Sequence, residues 1–433
     1  MKKTTSEPLI SIITPVYNGN VSLLQEAYES VKKQTYTNWE WCLCNDGSTD
    51  SEILDYIKKL KEGDEKVKVN FLDKNQGIAR ATNEAVKIAS GKIIAFLDYD
   101  DELHEDAIRD IENVFKDYAA DVVYTDEALK YTNREALVEH HKPRYSPHYL
   151  LSANYICHFL AVKKDLFYKI GGIRTGFEGS QDHDFVLRLT NATQRIFHIP
   201  KVLYYWRRHA DSFSSNNTGI QTAAISGMKA VTDELLRRGI TAKVTNPGCK
   251  THYKVQPTIV GSQMVSIIIP THASTRHINL TIDAILSNTQ YDNYEIIIVS
   301  DNAQHLKNIY LNEKRVKIVY HRDPKYKLTQ KINIGISYAL GEHIVVMHDD
   351  VNITSEDWLG WLVGYSQDPM VGVVGCKMLK QDRYIENFGI AINQNTLVVP
   401  MFRGLTTTDP GTMGRAVLTQ NVTALPSSLM MFK

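Results

Sequence analysis

The sequence predicts an α/β protein: two copies of one parallel-sheet domain in tandem, the second copy incomplete. Three observations predict it. Short apolar, β-rich runs alternate with amphipathic helical stretches, the pattern of βαβ units. Val-Ser-Ile-Ile-Ile-Pro-Thr at 265–271 repeats Ile-Ser-Ile-Ile-Thr-Pro-Val at 10–16, an offset of 255 residues. Two further matches follow in order: 38–46 with 293–301 at the same offset, and 90–100 with 340–350 at an offset of 250. Repeats of a solenoid run about 20–50 residues, so this period means duplicated domains.

In the first copy the apolar runs at 9–14, 39–45, 67–72 and 93–97 read as strands. The stretches 21–33, 50–61 and 78–89 between them read as helices. Pro15, Asp46 and Asp98 stand just after strands. Ligands of open α/β sheets bind beyond the carboxyl ends of strands, so a site belongs there. A helix from about Gln221 ends at Gly239, and an extended segment runs on to Val260. The expected organisation is a first domain over 1–217, a connector over 218–260 and a second domain over 261–433. Tyr155–Lys163 resembles Leu425–Lys433, so the second copy is expected to stop before its equivalent of 165–215.

Composition narrows the function. Lys+Arg and Asp+Glu both number 49, leaving none of the basic excess of a general nucleic-acid binder. No apolar run approaches the roughly 20 residues of a membrane span. The basic N-terminus leads into no apolar stretch of a signal peptide. Five scattered cysteines suit neither a disulfide scaffold nor a zinc site, which points to reduced thiols in a cytoplasm. No Gly-x-Gly-x-x-Gly follows a strand, no P-loop occurs and no Gly-x-Ser-x-Gly elbow appears.

Four segments could carry chemistry. Asp98-Tyr99-Asp100-Asp101 follows a strand directly. Crowded carboxylates repel and lose hydration unless a cation neutralises them, and oxygen ligands suit Mg²⁺ or Mn²⁺. The alternative is a helix N-cap at Asp100 or Asp101 for a helix starting near Glu102 or His104. Asn45-Asp46-Gly47-Ser48-Thr49-Asp50 offers a carboxylate to a base N–H, or else Ser48, Thr49 or Asp50 caps the next helix. In Gln181-Asp182-His183-Asp184, Asp182 is a candidate general base, with capping by Ser180 or Asp182 as the alternative. In Tyr204-Tyr205-Trp206-Arg207-Arg208-His209, an Arg could pair with phosphate and His209 could join a metal shell. His140-His141 lacks partners at metal spacing.

Taken in order, Ser-Ile-Ile-Thr-Pro-Val-Tyr-Asn (11–18), Asn-Asp-Gly-Ser-Thr-Asp (45–50), Gly-Ile-Ala-Arg-Ala-Thr-Asn (77–83), Phe-Leu-Asp-Tyr-Asp-Asp (96–101) and Gln-Asp-His-Asp-Phe-Val-Leu-Arg (181–188) resemble a family 2 inverting glycosyltransferase of the GT-A fold, a Rossmann-like nucleotide-diphospho-sugar transferase domain. The tandem arrangement resembles enzymes of O-antigen, capsule and rhamnan-type polysaccharide synthesis. The resemblance implies that Asp46 contacts the nucleotide base, that Pro15 and Tyr17 line that pocket, and that Arg80 approaches the nucleotide. It implies Asp98 at the ribose or the metal, Asp100 on the metal, His209 near metal or diphosphate, and Asp182 as catalytic base. Gln181 stands where the family usually has Glu.

The expected activity is transfer of a sugar, with inversion, from a nucleotide-diphosphate donor to a glycan acceptor, lipid-linked, using Mn²⁺ or Mg²⁺. The expected place is the cytoplasm, peripheral at the inner membrane face, with residues 125–160 as the acceptor region. In the second copy Pro270, Asp301, Asp349 and Asp350 are the site candidates. That copy, lacking a base region, is expected to bind nucleotide or carbohydrate without catalysis. A nucleotidyltransferase is the other alternative, although Thr14-Pro15-Val16-Tyr17-Asn18 stands where such an enzyme has a Gly-rich, basic loop.

Overall fold

A computed structural model describes residues 9–131, 136–208, 217–248, 251–272, 275–301, 303–321, 327–392 and 398–433. The chain divides into two compact units. One comprises Met1–Gly239, Val244–Lys254 and Thr412–Asn421; the other comprises Ile240–Lys243, Val255–Gly411 and Val422–Lys433.

In the first unit the elements run β1 (Ile10–Val16), α1 (Val21–Lys32), β2 (Trp39–Asn45), α2 (Ser51–Gly63), β3 (Val67–Phe71), α3 (Ile78–Ile88), β4 (Ile93–Phe96), β5 (Glu102–Leu103), α4 (Ala107–Tyr118) and β6 (Val122–Tyr131). They continue with β7 (Val138–His140), α5 (Pro147–Ser152), β8 (Leu160–Lys163), α6 (Lys164–Lys169), α7 (Gln181–Asn191), β9 (Ile196–Arg208) and α8 (Asn217–Arg237). Among the described residues these strands form one nine-stranded sheet, ordered β3-β2-β1-β4-β8-β6-β9-β5, with β7 on β6. The strands β3, β2, β1 and β4 are parallel, and β8 enters antiparallel between β4 and β6. The four predicted strands and three predicted helices of this half all form, with ends moved by one to two residues. The central strands are apolar because both faces are covered: Ile10, Ile12, Trp41, Leu43 and Ala95 are sealed in one core.

The stretch 218–260 does not stand apart as a connector. α8 lies in the first unit, as does Val244–Lys254, where the Tyr253 N–H donates to Ser152 O at 2.8 Å. Thr412–Asn421 also joins the first unit: the Tyr149 hydroxyl donates to Met413 O (2.7 Å) and Ser146 Oγ to Asn421 Oδ1 (3.0 Å).

The second unit contains, among its described residues, a six-stranded sheet ordered Val316–Tyr320, Tyr294–Ser300, Val265–Pro270, His343–Met347, Leu429–Phe432, Val373–Gly375. Its directions repeat those of β3-β2-β1-β4-β8-β6. The registers fix the correspondence. Ile10 pairs with Ile93 and Val265 with His343; Ile94 pairs with Val162 and Ile344 with Phe432.

A buried polar latch recurs as well. Ser11 Oγ donates to Glu40 Oε1 (2.6 Å) and accepts from the Gly91 N–H (2.9 Å); Ser266 Oγ donates to Glu295 Oε1 (2.6 Å) and accepts from the Gly341 N–H (2.9 Å). A Cβ on Gly91 would lie 2.5 Å from Leu9 O, and one on Gly341 2.5 Å from Met264 O, so both turns require glycine. No helix among the described residues is long and apolar enough to cross a membrane.

Candidate active site

The site builds from the loops that leave the parallel strands. After β1 the chain turns at Asn18 (φ 44°), whose Oδ1 accepts from the Thr49 N–H at 2.8 Å and whose own N–H donates to Ser48 Oγ at 2.9 Å. The loops after β1 and β2 are thereby tied together. Asp46, at the end of β2, is buried; its two carboxylate oxygens accept from the Gln76 and Gly77 N–H groups at 2.8 Å each. It shapes the entry into α3. Gly47 (φ +67°) lies so close that a Cβ would sit 2.3 Å from the Lys74 carbonyl carbon. Asp50 caps α2 through the Glu52 N–H (2.8 Å), so the capping reading holds for that residue. Pro15 is half-buried, Tyr17 is exposed, and Arg80 is exposed in the first turn of α3 with Glu84 at 3.9 Å.

The acidic run after β4 is held by β9. The Tyr204 hydroxyl donates to Asp101 Oδ2 (2.6 Å) and accepts from the Asp98 N–H (3.3 Å); the Arg207 N–H donates to Asp101 Oδ1 (2.8 Å). The buried Arg207 guanidinium binds the main-chain oxygen of Asp100, the Glu26 carboxylate and Leu23 O. Its hydrogen-bonding capacity goes to structure, not to a phosphate. The helix-cap alternative for Asp100 and Asp101 fails: β5 follows at Glu102, and α4 begins only at Ala107.

Asp98, Asp101 and His158 bring one ligand atom each within 4.8 Å of one another. His158 stacks on Tyr204 (4.8 Å between ring centroids, 15° between planes) and meets Trp206 edge-on. Burial, first of all, raises the carboxyls of Asp98 and Asp101 above the ordinary range, and neighbouring carboxylates add to it. Two crowded carboxylates beside an imidazole fit a divalent cation: the donor set suits Mn²⁺ or Mg²⁺, and the charge would relieve the repulsion. Asp100 stands outside this grouping, and His209 lies outside the described residues. Asp101 belongs to the acidic run that the sequence singled out, although the resemblance put the metal on Asp98 and Asp100; His158 is the member the sequence reading missed.

Asp182 is half-buried in the first turn of α7. No side chain caps this helix: Ser180 Oγ donates to Ala223 O (2.8 Å), and Asp182 Oδ2 accepts from Asn154 Nδ2 (2.9 Å). The capping alternative for Ser180 and Asp182 therefore falls. The charge of Asp182 also contributes to raising the Asp98 carboxyl, so Asp182 and the cluster share one electrostatic neighbourhood. The neighbours of Asp182 turn inward. Gln181 Oε1 accepts from the Gly179 N–H (2.8 Å). His183 is buried against Leu150 O (2.7 Å), and burial lowers its pKa, so it stays neutral. Asp184 is buried between Arg174 and Arg188. Tyr253 stacks on His183, and its hydroxyl lies where a Cβ on Gly227 of α8 would come within 1.9 Å.

The region 125–160 carries a buried polar network. Asp126 accepts from His198 Nε2 (2.7 Å) and faces His141 Nδ1 (3.1 Å); Glu127 faces His140 Nδ1 (3.3 Å) and Lys142 Nζ (2.9 Å). His140 and His141 thus have carboxylate partners that their spacing did not reveal.

In the second unit, the registers put His348, Val351 and Ser428 where Asp98, Asp101 and His158 stand. Among the described residues no acid–acid–imidazole grouping forms there. Asp301 pairs with His272 Nδ1 at 2.6 Å, and Asp349 Oδ2 accepts from Thr271 Oγ1 at 2.5 Å. Pro270 is buried at a strand end and Asp350 is exposed.

The O-antigen biosynthesis protein RfbC of Myxococcus xanthus is 31% identical over 402 residues, 90% of this chain and 31% of that protein. Hyaluronan synthase of Pasteurella multocida is 32% identical over 242 residues, 54% of this chain and 24% of that protein. The chain thus spans about a third or less of the length of these curated relatives. The structure of S. aureus TarS 1–349 in complex with UDP-GlcNAc is 21% identical, covers 52% of this chain and 66% of that one, and has a TM-score of 0.44. The glycosyl transferase family 2 model matches twice, over residues 11–171 and 266–422, stretches that hold most strands of the two repeated sheets. The chain therefore belongs to glycosyl transferase family 2, with its GT-A domain present twice.

Proposed function

We propose that the first unit transfers a sugar, with inversion, from a nucleotide-diphosphate donor to a glycan acceptor in polysaccharide synthesis. The observation that carries this reading is the Asp98–Asp101–His158 cluster just beyond the end of a parallel strand, with Asn154, four residues before His158, donating to Asp182. The donor's base would rest by Asp46, Pro15 and Tyr17, with Arg80 at the mouth. Asn154 holds one oxygen of Asp182, and the other takes the proton of the acceptor hydroxyl. The hydroxyl oxygen then bonds to the anomeric carbon while the bond to the diphosphate oxygen breaks on the opposite face. The nucleoside diphosphate leaves with that electron pair. A divalent cation held by Asp98, Asp101 and His158 would supply electrostatic stabilisation of the leaving charge. Asp100 stands one residue from Asp101 and is the further carboxylate open to that role.

The relatives named for O-antigen and hyaluronan synthesis support a polysaccharide acceptor. A lipid-linked acceptor would bring the enzyme to the inner membrane face from the cytoplasm. The second unit is a module without transfer chemistry, supported by His348, Val351 and Ser428 at the cluster positions.

The test is nucleotide release from a panel of UDP-, GDP- and dTDP-sugars with Mn²⁺ and a lipid-linked acceptor extract. One donor should turn over, and Asp182→Asn should lower kcat by about 10²–10⁴-fold, the usual contribution of a positioned base. Undiminished transfer by Asp182→Asn removes the base assignment.

A further inference from the structure

We propose that Lys142 is a positioning residue: through the turn Asn154–His158 it fixes where His158 and Asp182 stand relative to each other. The proposal rests on the cation reading of Asp98, Asp101 and His158.

Lys142 and Glu127 are fully buried and pair at 2.9 Å. The Lys142 ammonium has three acceptors. One is Glu127 Oε2; the others are the main-chain oxygens of Ile156, at 2.7 Å, and of His158. Glu127 Oε2 also receives the His158 N–H at 3.3 Å. The ion pair therefore grips both main-chain polar groups of His158 and one of Ile156.

The gripped turn touches both halves of the site. At one end, Asn154 donates its amide to Asp182 and accepts the Cys157 N–H at 3.4 Å. At the other, His158 reaches Asp98 and Asp101. Between them Cys157 has φ +35°, a left-handed conformation that a residue with a side chain adopts only when its surroundings impose it. The Cys157 thiol also donates to Asn154 O at 2.9 Å.

Stability does not account for the charges. A buried ion pair can usually be replaced by apolar side chains of like volume at little cost, and sometimes with gain. Apolar residues, however, could not hold the carbonyls of Ile156 and His158. What the pair supplies is a fixed turn, and the turn sets the geometry of a cation ligand and a base together. Partners that orient a metal ligand typically contribute 10–100-fold to metal affinity.

The experiment measures Mn²⁺ binding to the full chain by electron paramagnetic resonance, with thermal unfolding as the folding control. Lys142→Met combined with Glu127→Gln should unfold cooperatively like the parent and bind Mn²⁺ about 10–100-fold more weakly. His158→Gln should weaken binding as well, and adding it to the double variant should give little further loss, because Lys142 acts through His158. If the double variant does not fold, Lys142→Arg keeps the charge but replaces a compact ammonium with a planar fork. It should still weaken Mn²⁺ binding. Wild-type affinity in either folded variant, alongside a deficient Asp98→Asn, overturns the positioning role. Wild-type affinity in Asp98→Asn itself overturns the cation reading and this proposal with it.

Discussion

Asp182 and Asp184 stand two residues apart and do opposite work. Asp182 is half-buried and accepts from Asn154; Asp184 is buried and closes two ion pairs. Burial alone would raise the Asp184 carboxyl, but the Arg174 and Arg188 guanidiniums outweigh it and hold it below its ordinary value. A lowered carboxyl stabilises the fold above the unfolded-state pKa of about 4 and stops doing so as pH falls through the lower folded value. Asp184→Asn should therefore cost about 3 kcal/mol at pH 7, because the buried Arg188 loses its carboxylate partner and the half-buried Arg174 is left with Asp233 alone. The cost should shrink as the parent is taken toward pH 3. Urea unfolding at the two pH values measures this, and an equal loss at both contradicts it. Asp98 and Asp182 were legible in the sequence because each closes a local motif beside a strand or helix end. His158 and Lys142 were not. Their partners are brought close by strand order, as when β8 delivers His158 beside β4, and no local spacing encodes that.

At the scale of elements, α8 matters for what it lacks. Gly227 leaves room for the Tyr253 hydroxyl, and Tyr253 in turn packs on His183 in α7. Gly227→Ala should cost about 1–3 kcal/mol by overpacking and lower kcat more than it changes donor KM, since the helix carrying Asp182 must shift. Tyr253→Phe in the same chain should restore part of both, as the ring carbon remains tight. Calorimetry with steady-state kinetics decides it; unchanged stability in Gly227→Ala would show that α8 yields freely. The parallel strands were legible as uninterrupted apolar runs. β9 was not, because its burial alternates irregularly and its pairing with β6 shifts register twice near Asp126. Residues 125–160, expected to form the acceptor region, hold β6, β7, α5 and a buried polar network that was not legible, since acids facing buried His and Lys look like solvated polarity until the partners are known.

For the whole molecule, the two copies predict an unequal count of sites. Mn²⁺ should bind with one site per chain that Asp98→Asn removes and that Asp349→Asn and Asp350→Asn leave intact. Equilibrium dialysis gives the number, and two equivalent sites would contradict it. The duplication itself was legible from ordered matches, and the strand registers reproduce its offsets. The division near Gly261 was only partly legible, because Thr412–Asn421 docks on α5 in the first unit through Tyr149 and Ser146. Such a return follows from side chains far apart in the chain, beyond the reach of a boundary drawn from glycine and proline.

The Ser–Glu–Gly latch closes both sheets with the same bond lengths, yet among the described residues only one sheet has the acidic cluster at its rim. The protein thus carries its own control comparison. Whatever the two halves share, although the cluster forms in one of them, is what the architecture demands for itself. Whatever differs has been released to change. A library built on the shared positions would report on folding, and one built on the divergent positions on chemistry, within a single polypeptide.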